Sequence, residues 1–105
     1  MFTRNVILNL KAHSAPDLTR LIEKEIVPIL RKQKGFRDEI TLVAPERSEA
    51  VAISFWETKE DAEAYNRTAY PEVLKIMSKV VEGTPKLETF ELSNSTIHKV
   101  AVKGA

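Results

Sequence analysis

VAISFWETKEDAEAYNRTAY, residues Val51 to Tyr70, changes its periodicity midway. Its first half is β-branched and aromatic and carries the lone tryptophan, Trp56. Side chains along a strand alternate, so Val51, Ile53 and Phe55 share one face while Ala52, Ser54 and Trp56 share the other. Thr58 with Asp61 three residues on is helix-start chemistry, and Ala62, Tyr65 and Ala69 then recur at helical spacing. A strand feeds a helix here, and the junction is rich in large amphipathic side chains.

Upstream, Pro45-Glu-Arg-Ser-Glu49 is a short polar turn, which joins the strand Ala50 to Glu57 to a preceding strand, Phe36 to Ala44, as a hairpin. Downstream, the helix breaks or bends before Pro71 and resumes with Val73, Ile76, Met77 and Val80 on one face. Gly83 is expected to close it, and Pro85 to Ser93 to form a further strand, edge-like because of its proline and alternating charge. The first part of the chain has the same plan. Phe2 to Leu10 is a strand with Val6, Leu8 and Leu10 on one side and Asn5, Ile7 and Asn9 on the other. Ser14-Ala-Pro-Asp17 starts a helix in which Leu18, Leu21, Ile22, Ile26, Ile29 and Leu30 form the apolar stripe. Pro28 predicts a kink in that helix, and Gly35 ends it. The order β-α-β-β-α-β is the split-βαβ, ferredoxin-like α+β arrangement: a four-stranded antiparallel sheet with both helices on one face.

Two helices cover one face of such a sheet, so the other should be polar if it meets water. Instead the strands are apolar on both sides: Ile40 and Leu42 oppose Val43, and Leu8 and Leu10 oppose Ile7. A second copy of the sheet is the simplest cover, which predicts a homodimer through sheet faces. Residues Thr96 to Val102 are β-prone and read as a fifth strand or an arm reaching the partner; the core spans about residues 2–94 of one 105-residue domain.

Bulk composition narrows the function. Sixteen Lys and Arg against 15 Asp and Glu leave a formal charge of +1, without the basic footprint of a nucleic-acid binder or a polybasic membrane anchor. No cysteine is present, so thiolate metal sites, disulfides and a Cys nucleophile are excluded, and a reducing, cytoplasmic setting is expected. The N-terminal run lacks a signal-peptide core. Nothing provides a Gly-rich phosphate loop, a Ser-His-Asp constellation or spaced metal ligands.

Several pieces together resemble the antibiotic-biosynthesis-monooxygenase-like members of the dimeric α/β-barrel superfamily. They are Ile26-Val-Pro-Ile-Leu-Arg31 leading to Lys34-Gly-Phe36, Ile53-Ser-Phe-Trp-Glu-Thr58 with Asp61-Ala-Glu-Ala-Tyr65, and Phe90-Glu-Leu92 followed by Ser95-Thr-Ile-His98. The resemblance implies a homodimer and, in some relatives, oxygenation of polyphenolic or quinol substrates without flavin or metal. Such chemistry asks for a largely apolar cavity with a few hydrogen-bonding groups. A haem-degrading branch pairs a first-strand Asn with a helical Trp and a His on the second helix. Asn5 matches the first, but Trp56 lies in a strand and residues Lys59 to Glu82 contain no His, which disfavours haem.

The resemblance therefore implies no cofactor and a small aromatic ligand. Asn5, Trp56, Tyr65 and Tyr70 are the candidate substrate-binding residues, and His13 is the candidate base. Each has a plainer reading: Trp56 and Tyr65 as core packing, Asn5 tying down a neighbouring backbone, His13 as an exposed loop histidine. Asn66 is expected to face solvent, Arg67 to hold a phenolate or sit on a charged surface, and His98 to face solvent or contact the tail rather than reach a partner. The alternative to catalysis is a dimeric domain that binds a small apolar molecule without turning it over.

Overall fold

The computed structural model describes residues 1–98. Four strands, β1 (Phe2–Leu10), β2 (Phe36–Ala44), β3 (Glu49–Trp56) and β4 (Val81–Glu91), form one antiparallel sheet in the order β2-β3-β1-β4. The helical pieces α1 (Ala15–Leu21), α2 (Val27–Arg31), α3 (Lys59–Thr68) and α4 (Tyr70–Met77) cover one face. The expected ferredoxin-like α+β fold is what the chain adopts. No helix among the described residues is long and apolar enough to cross a membrane.

The core lies between helices and sheet. Val6, Leu8 and Leu10 meet Leu18, Ile22, Ile26 and Leu30 from the first helical arm, and Ala62, Tyr65, Val73 and Met77 from the second. Register explains which strand residues reach it. Phe2 pairs with Trp56, Arg4 with Ser54, Val6 with Ala52 and Leu8 with Ala50, so these rows face the helices.

Both helical arms are interrupted. Residues Ile22–Ile26 between α1 and α2 form a π-helical turn, and the Val27 N–H reaches back to the Ile22 carbonyl. Pro28 has no N–H to give the Lys24 carbonyl, and the widened turn accommodates that gap. The second arm breaks at Ala69, two residues before Pro71. Thr58 caps α3, its hydroxyl accepting from the Asp61 N–H at 3.1 Å. Ser14 stands at the equivalent place on α1 but makes no side-chain cap; its hydroxyl turns to the Ala12 carbonyl instead.

The strand after the second arm corrects the sequence expectation. The helix ends at Met77, and Gly83 lies inside β4, which begins at Val81 rather than Pro85. Ser78 ends the helix by donating its hydroxyl to the Lys75 carbonyl. Gly83, at φ 68°, serves an irregularity in β4 where Asn9 pairs with Glu82 and Ile7 with Lys86. Pro85 falls on an edge strand, where its missing N–H is tolerated.

The second sheet face is apolar as expected. Val51, Ile53 and Phe55 form its centre, with Ile40, Leu42 (56% exposed) and Phe90 (52% exposed) around them. Residues 92–98 leave β4 and turn back towards this face. His98 stacks on Phe55 with ring centroids 5.0 Å apart, and its Nε2 lies 2.9 Å from Asp38 Oδ2 on β2. Thr96 to His98 bend rather than form a fifth strand; the rest of that expected segment, 99–102, lies outside the described residues.

Candidate functional site

The residue around which a site assembles is Arg4. It sits on β1 in the same alternation as Val6, Leu8 and Leu10, so the strand points a guanidinium into the core, where it is 2% exposed. Its neighbours in register make a polar row across the sheet: Thr89 on β4, Arg4 on β1, Ser54 on β3 and Glu39 on β2. Adjacent strands lie about 4.8 Å apart, so the row crosses nearly the whole sheet beneath the helices.

Aromatic rings enclose the guanidinium. Its carbon lies 4.8 Å from the Tyr65 ring centroid and 4.3 Å from that of Tyr70, a desolvated cation–π arrangement. Tyr65 is placed by α3, and Tyr70 opens α4 just past the break at Ala69. Arg4 donates to Asn66 Oδ1 at 2.8 Å, and the Tyr65 and Tyr70 phenols are also within its hydrogen-bonding reach. No carboxylate lies within 4.0 Å of it among the described residues.

Burial dominates the electrostatics. It lowers the pKa of Arg4, and the two tyrosines work against that shift. It pushes the Tyr65 phenol up to about 12 in spite of the nearby cation, and raises Tyr70 likewise. Tyr65 is thus a hydrogen-bond donor at neutral pH. Glu39 is raised by burial too, opposed by the Thr41 hydroxyl that donates to it at 2.6 Å.

Two spaces meet at Arg4. An inner cavity of about 30 Å³ is walled by Arg4, Glu39, Ser54, Tyr65 and Tyr70 together with apolar residues of both helical arms. It has room for little more than a water molecule. Ile22 and Ile26 line it from the π-helical turn, and Tyr70 and Val73 from beyond the second break. An outer groove of about 130 Å³ runs between α3 and β4, lined by Phe2, Arg4, Ala62, Asn66, Leu87 and Thr89 with Lys59 and Glu63.

The residues singled out from sequence divide among three places. Tyr65 and Tyr70 line the inner cavity. Trp56 is fully buried behind them, stacked on Tyr65 at 4.8 Å, edge-on to Phe36 at 5.7 Å, with its Nε1 donating to Ser54 Oγ at 2.8 Å. It packs the floor on which Tyr65 rests. Asn5 does not join them, because β1 alternation turns it to the opposite sheet face; there its Oδ1 is buried without a hydrogen-bond partner among the described residues. His13 is exposed at the other end of β1, in a turn at φ 57° beside Lys11 and Pro45. Six residues of strand, roughly 20 Å, separate Arg4 from Leu10 near that turn, so His13 lies apart from the Arg4 site within the chain.

Arg4, Ser54, Glu39 and Asn66 were not anticipated. Asn66, expected simply to face solvent, is exposed as a residue but reaches back to Arg4. The available signal was parity: an arginine in step with Val6, Leu8 and Leu10 has to be buried if those are. Arg67 is exposed. Among the described residues, no three His, Asp or Glu side chains gather as metal ligands.

Neither a family model nor a curated protein matches the sequence. Solved structures do match the fold. A monooxygenase from the gene ActVA-Orf6 of Streptomyces coelicolor, in complex with the ligand Nanaomycin D, aligns with a TM-score of 0.75 at 14% identity, over 93% of this chain and 92% of that one. A candidate antibiotic biosynthesis monooxygenase from Bordetella bronchiseptica aligns at 0.74 and 10% identity, over 89% and 97%. NE2512, a protein of unknown function from Nitrosomonas europaea, aligns at 0.72 and 16% identity, over 96% and 94%. Likeness at such identities is a likeness of fold. The chain thus has the ferredoxin-like fold of the antibiotic-biosynthesis-monooxygenase-like proteins.

Proposed function

We propose that this protein is a cofactor-independent monooxygenase for a small aromatic, quinol-type substrate, working in the cytoplasm as a homodimer whose sheets face each other. The observation that carries the reading is the buried Arg4 guanidinium, held between two tyrosines at a largely apolar cavity with no carboxylate within 4.0 Å among the described residues. Such a cation stabilises a phenolate that water would otherwise have to solvate. Glu39, its pKa raised by burial, is placed to take up the phenolic proton. The electron-rich anion then passes an electron to molecular oxygen. Recombination gives a hydroperoxide, and loss of water leaves a carbonyl, so one oxygen atom enters the product and the other leaves as water. The inner cavity must widen to admit a ring, and its walls include the two places where the helical arms are interrupted.

Oxygen uptake with a panel of hydroquinones and anthrones tests this. Consumption above a heat-denatured control is expected for at least one compound, falling at least tenfold in Arg4→Gln. No uptake with any of them would end the catalytic reading. The second reading is a dimeric binding domain without turnover. The cavity of about 30 Å³ and the high Tyr65 pKa favour it, because neither an open reaction chamber nor a phenolic base is formed. Tight ligand binding without oxygen consumption is its signature.

A further inference from the structure

Arg4 presents an imbalance that the fold does not resolve. Nearly all of its guanidinium is out of water, yet its side-chain acceptors among the described residues, Asn66 Oδ1 and the Tyr65 and Tyr70 phenols, are all neutral. Burying a cation without a counter-charge is costly, and cation–π contacts offset only part of that cost. The other charges in the outer groove, Lys59 and Glu63, lie 3.8 Å apart as an ion pair and so largely cancel each other. Among the described residues, Arg4 is left without a carboxylate within 4.0 Å at the place where the two spaces meet.

Size and lining fit a particular occupant. The outer groove, about 130 Å³, approaches the cavity of about 150 Å³ that holds benzene in an engineered protein core. Phe2, Ala62 and Leu87 give it apolar surface for one ring, and Thr89 and Asn66 add hydrogen-bonding groups at its edge. Leu87 is 39% exposed although it lies on the helix-facing side of the sheet, so the described residues do not cover this apolar surface. Asn66 comes from the exposed side of α3 and occupies the position a ligand oxygen would take.

We propose that this groove binds a single-ring aromatic acid. Its carboxylate replaces Asn66 on the Arg4 guanidinium, and its ring lies over Phe2, Ala62 and Leu87. A planar carboxylate can accept two parallel N–H bonds from a guanidinium, which the Asn66 oxygen does not reproduce. The inference shares Arg4 with the site proposed above but concerns the outer groove, so it stands or falls separately from the reaction proposed for the inner cavity.

Calorimetric titration of the full chain with 2,5-dihydroxybenzoate and with 2,5-dihydroxybenzamide tests it, since the pair differ in charge and little in shape. The acid is expected to bind at least tenfold more tightly than the amide. Asn66→Asp supplies an internal carboxylate to Arg4 from an exposed position, so it should fold normally, unfold at a higher temperature than the parent and lose the preference for the acid. Arg4→Gln should lose the same preference. Equal binding of acid and amide, an acid that fails to bind at millimolar concentration, or an Asn66→Asp variant that keeps the full preference would each overturn the proposal. Failure of the monooxygenase reading looks different: acid-selective binding without oxygen uptake removes catalysis and leaves the anion site, whereas turnover of neutral quinols without acid preference does the reverse.

Discussion

Trp56 and Arg4 are both almost completely buried, yet their substitutions should behave in opposite ways. Trp56 fills the space under Tyr65, and its indole nitrogen is satisfied by Ser54. Trp56→Ala leaves a large void and should cost about 3–5 kcal/mol in denaturant unfolding. Arg4→Met removes a desolvated cation with no carboxylate within 4.0 Å among the described residues, so it should leave the protein at least as stable as the parent. Glu39 gives a pH signature. Its folded pKa is raised above the ordinary 4.5, so the folded state holds the proton more tightly. That contribution is fully present below the unfolded value and is lost as pH rises through the folded one. Glu39→Gln stays neutral throughout. It should match the parent near pH 4 and become the more stable protein towards neutrality, read as unfolding midpoints across a pH series.

Helix starts show how far local chemistry reaches. Thr58 and Ser14 precede an acid by three residues in the same way, and both read as caps. Only Thr58 closes the bond, because its extended backbone aims the hydroxyl at the Asp61 N–H, whereas Ser14 sits at φ −96° and ψ 0°. Thr58→Ala should therefore cost about 1 kcal/mol, and Ser14→Ala distinctly less, in parallel thermal melts. The first helical arm already ends at Arg31, so Gly35, at φ 81°, does not end it as expected but serves the turn into β2, where a Cβ would overlap the Asp61 carboxyl group; Gly83 faces open space and serves a strand. Pro28 was legible as a disturbance, but its resolution into a π-helical turn was not, since that depends on how Ile22 and Ile26 pack against the sheet.

For the whole molecule the decisive feature is a sheet with two apolar faces and helices on one. Leu42 and Phe90 stand half-exposed around Val51, Ile53 and Phe55, and in the proposed dimer a second sheet covers them. Analytical ultracentrifugation at micromolar concentration should show a dimer. Leu42→Glu should shift it to monomer with an unchanged circular dichroism spectrum, because the charge falls on the open face and leaves the core alone. A parent protein that sediments as a monomer would remove the dimer and, with it, the expected role of the tail.

Order and periodicity along the chain were enough for the strands, the helical arms, the antiparallel ferredoxin-like sheet and the surplus of apolar strand surface. These depend on alternation and helical spacing, which are local properties written residue by residue. The site was another matter. Asn5 and Arg4 are neighbours in sequence, yet β1 sends one to each face of the sheet. Only cross-strand register brought Thr89, Arg4, Ser54 and Glu39 into a single row, and only packing of α3 and α4 closed Tyr65, Tyr70 and Asn66 around the guanidinium. Whether a charge is buried without a partner depends on every element that surrounds it, and that is decided by tertiary structure.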